Sequence, residues 1–220
     1  RRDGHLFLID LYNRGVRNFI VYREPDIKEF PGANIIYVED SLKALQQLAA
    51  FHRQQFDYPV IGITGSNGKT IVKEWLNQLL EDKYRIVRSP RSYNSRIGVP
   101  LSIWEMRDFH EMALIEAGIS KEGEMAVLEE MIRPTLGILT NIGGAHDEGF
   151  ESREAKMLEK LSLFEKAGAL VYPSDEEDLQ PVVRKWHIAN PRVKLLSFGR
   201  KGSALQVLSL KKTNDSTELT

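Results

Sequence analysis

Apolar residues recur along this chain in two rhythms. Short runs at 60–64, 112–115, 136–140, 169–172 and 193–198 have the length and β-branched content of buried strands. Between them, apolar residues return every three or four positions, which is the spacing of one helix face. The pattern predicts strands at those runs and at 85–87. It predicts helices from the turn after residue 64 to about residue 80, and over 101–106, 124–132, 152–166 and 176–186. Strands alternating with helices predict an α/β fold, a mostly parallel sheet with flanking helices whose ligands bind beyond the carboxyl ends of the strands. Polar residues directly after strands are therefore the ones to inspect.

The first 57 residues have their own pattern. A short helix ending near Gly15, a strand at 19–22, a Pro/Gly-containing loop and a strand at 35–38 suggest part of a small α/β unit. Ser41 can cap a helix carrying Leu42, Leu45, Leu48, Ala49 and His52 at helical spacing, and Asp57-Tyr58-Pro59 breaks it. The domain boundary is expected there, giving 1–57 as part of an N-terminal domain and 58–220 as the main α/β domain. The polar segment 211–220 is expected to be a frayed end.

Composition narrows the partners. A formal net charge of −1 provides no basic field of the kind that binds nucleic acid. No apolar run approaches the roughly 20 residues of a membrane span. The absence of cysteine excludes disulfides and thiolate metal sites and agrees with a cytoplasmic location. The chain opens Arg1-Arg2-Asp3 without an initiator methionine, so it is expected to be an internal piece of something longer.

Four polar sites follow predicted strands. In Thr64-Gly65-Ser66-Asn67-Gly68-Lys69-Thr70 an apolar strand runs into a glycine-rich turn. Gly65 and Gly68 let backbone N–H groups converge, Lys69 can reach terminal phosphates, and the Thr70 hydroxyl can ligate Mg²⁺. This is a phosphate loop, although Ile63 stands where the usual spacing has its first glycine. Glu116, at the end of 112–115, can face that loop and hold a hard cation. Thr140-Asn141-Ile142-Gly143-Gly144-Ala145-His146 follows the next strand, and its imidazole can serve as a metal ligand or hydrogen-bond partner. Of the other histidines, His52, His110 and His187 form no pair with metal-site spacing. Lys160 lies at the edge of an apolar stripe formed by Met157, Leu158, Leu161 and Phe164, where composition alone makes a lysine a solvated residue. A polar loop, residues 89–100, carries Asn94, Ser95 and two arginines at the same sheet edge, placing it for substrate or nucleotide contact.

In their order and strand-end placement, these segments resemble the Mur ligase family, the ATP-dependent amide-bond formers of bacterial cell-wall synthesis. Val72-Lys73-Glu74, Gly123-Glu124 and His146-Asp147-Glu148-Gly149-Phe150 look most like the members that add D-alanyl-D-alanine (D-Ala-D-Ala) to UDP-N-acetylmuramoyl-tripeptide (UDP-MurNAc-tripeptide). Arg14-Gly15-Val16-Arg17-Asn18-Phe19 is similar to the ligase half of proteins fused to an alanine racemase. The resemblance implies that residues 1–57 belong to a UDP-substrate-binding domain, and residues 58–220 to an ATP-binding central domain whose C-terminal partner is absent. It implies ATP contacts from Gly65, Ser66, Asn67, Gly68, Lys69 and Thr70, substrate contacts from Asn94 and Ser95, and catalytic roles for Lys69, His146 and Lys160. Thr70 and Glu116 would hold one Mg²⁺ and His146 a second, with Lys160 carbamylated beside it and Lys156 the rival for that modification. Ile71 and Ser95 depart from the family pattern at fine nucleotide contacts. The alternatives are a sister ligase adding another amino acid, a phosphate-loop kinase, and a nucleotide-binding switch without catalysis.

Overall fold

The computed structural model describes residues 3–144, 147–213 and 217–220. The chain forms two compact units, Arg1–Leu48 and Ala49–Thr220. In the smaller one a 3-10 turn (Gly4–Phe7) leads into helix α1 (Leu8–Asn13), and strands β1 (Asn18–Val21) and β2 (Asn34–Tyr37) pair in parallel. Phe19, Val21 and Phe30 are its buried core, packed by Leu8, Leu11, Tyr12, Ala33 and Ile35.

Helix α2 (Ser41–Arg53) carries the division between units, ahead of the break expected at Asp57-Tyr58-Pro59. The reason lies in its second half. Ala49, Ala50 and Phe56 are buried in the core of the larger unit. Buried Arg53 donates to the carbonyls of Ile132 (2.9 Å), Phe56 (2.7 Å) and Arg133 (3.2 Å), so its charge is dispersed over backbone oxygens.

The larger unit is built on a seven-stranded parallel sheet. Its strands are β3 (Val60–Thr64), β4 (Ile86–Arg88), β5 (Met112–Glu116), β6 (Leu136–Leu139), β7 (Ala169–Pro173), β8 (Lys194–Gly199) and β9 (Leu205–Gln206), in the spatial order β4-β5-β3-β6-β7-β8-β9. Helices α3 (Lys69–Leu80), α4 (Gly98–Ile103), α5 (Glu124–Ile132), α6 (Arg153–Leu161) and α7 (Leu179–Ala189) connect them. From β3 the chain crosses to the edge strand β4, comes back to insert β5 beside β3, then passes to the other side of β3 to lay down β6. That reversal opens a crevice at the carboxyl ends of β5, β3 and β6, the place where parallel sheets bind ligands.

Side chains of β3 alternate between two packing clusters. Ile61 and Ile63 join Leu114 beneath Val72 and Leu76 of α3, while Val60 joins the large cluster that includes α5, α6 and α7. Gly62 and Gly137 allow close packing on the second face. A Cβ on Gly137 would lie 2.3 Å from Phe164 Cδ1, a ring held in a fully buried position. Gly137→Ala is therefore expected to destabilise the larger unit by about 1–3 kcal/mol, read as a lowered urea midpoint with unchanged slope. An unchanged midpoint would show that the ring can move aside.

Several elements differ from the sequence expectation, among them α7, which lies three residues later than 176–186. Helix α4 begins at Gly98, ahead of Pro100, because the first helical N–H groups have no intrahelical partner and proline costs nothing there. The predicted helix 152–166 divides into α6 and a 3-10 turn (Ser162–Phe164). The tail expected to fray instead pairs β10 (Leu210–Lys212) antiparallel with β11 (Thr217–Leu219), setting Lys211 opposite Glu218, a favourable cross-strand combination.

Candidate active site

The turn between β3 and α3 has the backbone conformation its glycines allow. Gly65 (φ 147°) and Gly68 (φ 79°) both occupy positive φ, and Gly68 caps α3 in the left-handed region. A Cβ at Gly65 would fall 1.9 Å from Thr140 Oγ1, so this position tolerates no side chain. The loop is braced from β6. Ser66 N donates to Asn141 O and Asn67 N to Asn141 Oδ1, both at 2.9 Å, and Thr140 Oγ1 donates to Asn67 O at 2.6 Å. Ser66 Oγ donates to Gly143 O at 3.1 Å. Thr140 and Asn141 thus act on the loop's shape, a role their position after a strand did not reveal.

Three lysines surround this turn. Lys69 Nζ donates to Gly65 O (2.9 Å) and Ser66 O (3.3 Å), and burial lowers its pKa against the opposing pull of Glu116. Lys160 Nζ lies 3.4 Å from Gly65 O, and Lys156 Nζ donates to Gly143 O at 2.6 Å. Lys156 and Lys160 are both buried, contrary to the solvated position that composition suggested for Lys160. Burial, then the charges of Lys69 and Lys156, lower the Lys160 ammonium to about 7, with Glu159 opposing. Near neutral pH a substantial part of Lys160 is a free amine, and therefore a nucleophile.

Opposite the lysines stands Glu116, fully buried at the end of β5. Thr70 Oγ1 donates to its Oε2 at 3.1 Å. Its Oε1 has the Lys73 ammonium 3.0 Å away but receives no aligned hydrogen bond. A buried carboxylate oxygen without a directed donor, next to a hydroxyl at a helix start, suits a hard cation such as Mg²⁺. Among the described residues no cluster of three or more His, Asp or Glu could hold a metal alone, so water and phosphate oxygens would complete the shell, as Mg²⁺ prefers. His146, expected at a second ion, lies outside the described residues.

The loop after β4 is stitched to the same edge. Ser89 Oγ accepts from Glu116 N (3.1 Å), and Asn94 O accepts from Gly118 N (2.8 Å). Ser95 Oγ accepts from Ile97 N and Gly98 N, so its hydroxyl stabilises the start of α4. The structure therefore gathers Gly65 to Thr70, Glu116, Lys156, Lys160 and the Asn94 loop around one crevice, and gives Ser95 a local hydrogen-bonding role.

Glu176 and Lys73 hold places at the site that their linear positions did not assign to them. Glu176 accepts from Ile142 N through both oxygens (3.2 and 3.1 Å), fixing the β6 loop from the β7 side, and burial raises its pKa. Lys73 is fully buried on α3, whereas Ile71, Trp75 and Leu79 of the same helix are exposed. A lysine four positions after Lys69, on the helix face shared with the phosphate loop, was the available signal.

A sequence profile for the Mur ligase middle domain matches residues 63–220. The chain belongs to the Mur ligase family. It is 36% identical over 184 residues to the UDP-N-acetylmuramoyl-tripeptide--D-alanyl-D-alanine ligase of Bacillus subtilis, covering 82% of this chain and 40% of that one. The ligase of the same name from Treponema pallidum is 38% identical over 170 residues, covering 74% and 37%. This Mur ligase chain thus spans about 40% of the length of those curated relatives. Its fold superposes on MurF from Acinetobacter baumannii with a TM-score of 0.89 at 26% identity, over 100% of this chain and 47% of the other. MurF from Thermotoga maritima, crystallised with ADP, gives 0.85 at 30% identity over 99% and 49%. Among the described residues, no helix of this Mur ligase is long and apolar enough to cross a membrane.

Proposed function

We propose that this chain is the nucleotide-binding part of a cytoplasmic ligase that uses ATP to join D-Ala-D-Ala to UDP-MurNAc-tripeptide in peptidoglycan precursor synthesis. The observation that carries the reading is the convergence of the phosphate loop, buried Glu116 and the low-pKa Lys160 in one crevice, in a chain 36% identical to a ligase of that name. The ADP held by the Thermotoga maritima relative supports a nucleotide in this crevice. A racemase joined to the same polypeptide is a further element of the reading, carried by residues 14–19.

In this reading a substrate carboxylate attacks the γ-phosphorus of ATP in line, the bond to the bridging oxygen breaks, and ADP leaves an acyl phosphate. The amine of the dipeptide then attacks the acyl carbon through a tetrahedral intermediate, expelling phosphate and losing a proton. The first step brings two anions together, so its barrier is largely electrostatic. The N–H groups at the start of α3, those of Gly68, Lys69 and Thr70, and the Lys69 ammonium hold the phosphates in the attack geometry. Thr70 and Glu116 would hold Mg²⁺, which supplies positive charge to neutralise the phosphate oxygens. His146 is assigned to a second such ion. The free amine of Lys160 reacts with CO₂, forming an N–C bond and releasing a proton, so that a cationic side chain becomes an anionic oxygen ligand. Asn94 and its loop face the acceptor.

The deciding experiment supplies the complete protein with ATP, UDP-MurNAc-tripeptide and a panel of amines, and measures phosphate and amide together. Phosphate release with D-Ala-D-Ala alone, matched by amide, is expected. Release with a different amino acid assigns a sister ligase, and phosphorylated product without amide assigns a kinase.

A further inference from the structure

The α3 lysine left outside the mechanism is, with Glu116, the most completely enclosed charge on the crevice. We propose that Lys73 is a positioning residue that holds the loop 89–97 in its working shape, with Glu116 and Glu74 as its counter-charges. The proposal rests on the ligase reading only in identifying that loop with the acceptor.

Lys73 is wholly shielded from solvent, and an ammonium in such a place persists only when its donors and its charge are both satisfied. Both conditions hold here. Its Nζ donates to Ser89 O at 2.6 Å and to Arg91 O, and stands 3.0 Å from Glu116 Oε1 and 3.0 Å from Glu74 Oε1. The two carbonyls belong to the first residues after β4, so the ammonium grips the loop at its root. Arg91 is one of two non-glycine residues at positive φ (50°) among those described, a conformation disfavoured by its Cβ. Such strain survives only where surrounding contacts over-determine it. Lys73 supplies one of those contacts, at the carbonyl of the strained residue itself. Further along, Asn94 O is held by Gly118 N, Tyr93 O by Ser102 Oγ at 3.3 Å, and Arg96 pairs with Glu124 at 3.4 Å, so the root and the far end of the loop are held by different elements. Releasing the root should loosen the segment from that end, while the phosphate loop keeps its separate bracing from Thr140 and Asn141.

The test uses the complete protein carrying Lys73→Met, which keeps an unbranched side chain and removes the ammonium. Limited trypsin digestion without ligands is expected to cut after Arg91 and Arg96 roughly tenfold faster than in the parent, the signature of local opening. KM for UDP-MurNAc-tripeptide should rise by a similar factor, while ADP affinity measured without divalent cation changes by less than about threefold. Should the variant lose its cooperative unfolding transition because Glu116 is left buried and unpaired, Lys73→Met combined with Glu116→Gln removes both charges, and the digestion is read on that protein. Cleavage in a folded variant no faster than in the parent overturns the proposal. Faster cleavage with an unchanged acceptor KM upholds Lys73 as the loop's anchor and removes the loop from acceptor binding.

Discussion

Lys69→Ala is expected to lower ATP-dependent phosphate release by the complete protein by about a thousandfold or more, without lowering its stability. The catalytic loss follows from charge. Joining a carboxylate to a triphosphate requires a cation fixed where negative charge builds up, and a single well-placed donor is worth about 10²–10³ in rate. A full positive charge on terminal phosphates exceeds that figure. Stability should not fall, because burial disfavours the charged form of Lys69 and, among the described residues, its hydrogen bonds go to Gly65 O and Ser66 O within its own loop. Alanine removes a desolvated charge, so the thermal midpoint should stay level or rise. Two measurements check this: steady-state phosphate release at saturating ATP, and a thermal unfolding scan of the same preparation. Near-normal turnover would remove the phosphate-loop assignment, and a collapsed midpoint would mean that the lysine mainly supports the turn.

The second large effect is expected at Lys160. Lys160→Met should reduce kcat by roughly a hundredfold or more, since it removes the nitrogen on which an anionic metal ligand is to be built. Lys156→Met should cost much less, because Lys156 Nζ is committed to Gly143 O. A reversed ranking would transfer the modification to Lys156. The parent enzyme should also lose activity in CO₂-free buffer and recover with bicarbonate, a response the Lys160→Met variant should lack. The same residue has a signature in stability. Folded Lys160 titrates at about 7, against an ordinary value of 10.5 in the unfolded chain. Between these values the unfolded state binds more protons, so stability rises with pH across that window, and below about 7 the full penalty of a buried ammonium remains. Urea midpoints from about pH 6 to about pH 9 should therefore climb more steeply in the parent than in Lys160→Met, measured under CO₂-free conditions. Parallel slopes would refute the lowered pKa.

Much of the candidate site was legible because its chemistry follows strand ends in linear order. Gly65, Gly68, Lys69 and Thr70 are adjacent in sequence, and a glycine-rich turn closing on Lys-Thr has few uses other than holding phosphate. Glu116 could be proposed from its place at the end of an apolar run, although its complete burial and its hydrogen bond from Thr70 could not. Ser95 has a further role that such reasoning did not reach, since its Oγ accepts from Ile97 N and Gly98 N at the start of α4. The polar tail did mislead, since strand pairing depends on backbone hydrogen bonds between two segments and hydropathy records only burial. Helix α3 departs from the expected pattern on part of its surface, burying Lys73 and Asn77 and exposing Trp75 and Leu79 while Val72 and Leu76 still pack on the sheet.

Sequence alone determined the alternation of strands and helices, the phosphate loop and the family, because these depend on residues close together in the chain and on periods of two and three to four. Only the tertiary structure decided that Lys160 is buried beside Lys69 and Lys156 and so has a lowered pKa, which carbonyls Lys73 grips, and that Thr140 and Asn141 brace the turn. Those outcomes depend on desolvation and on charges brought together from β3, β5, β6, α3 and α6. Field strength and hydration vary with distance in space, and the linear order of residues does not encode that distance.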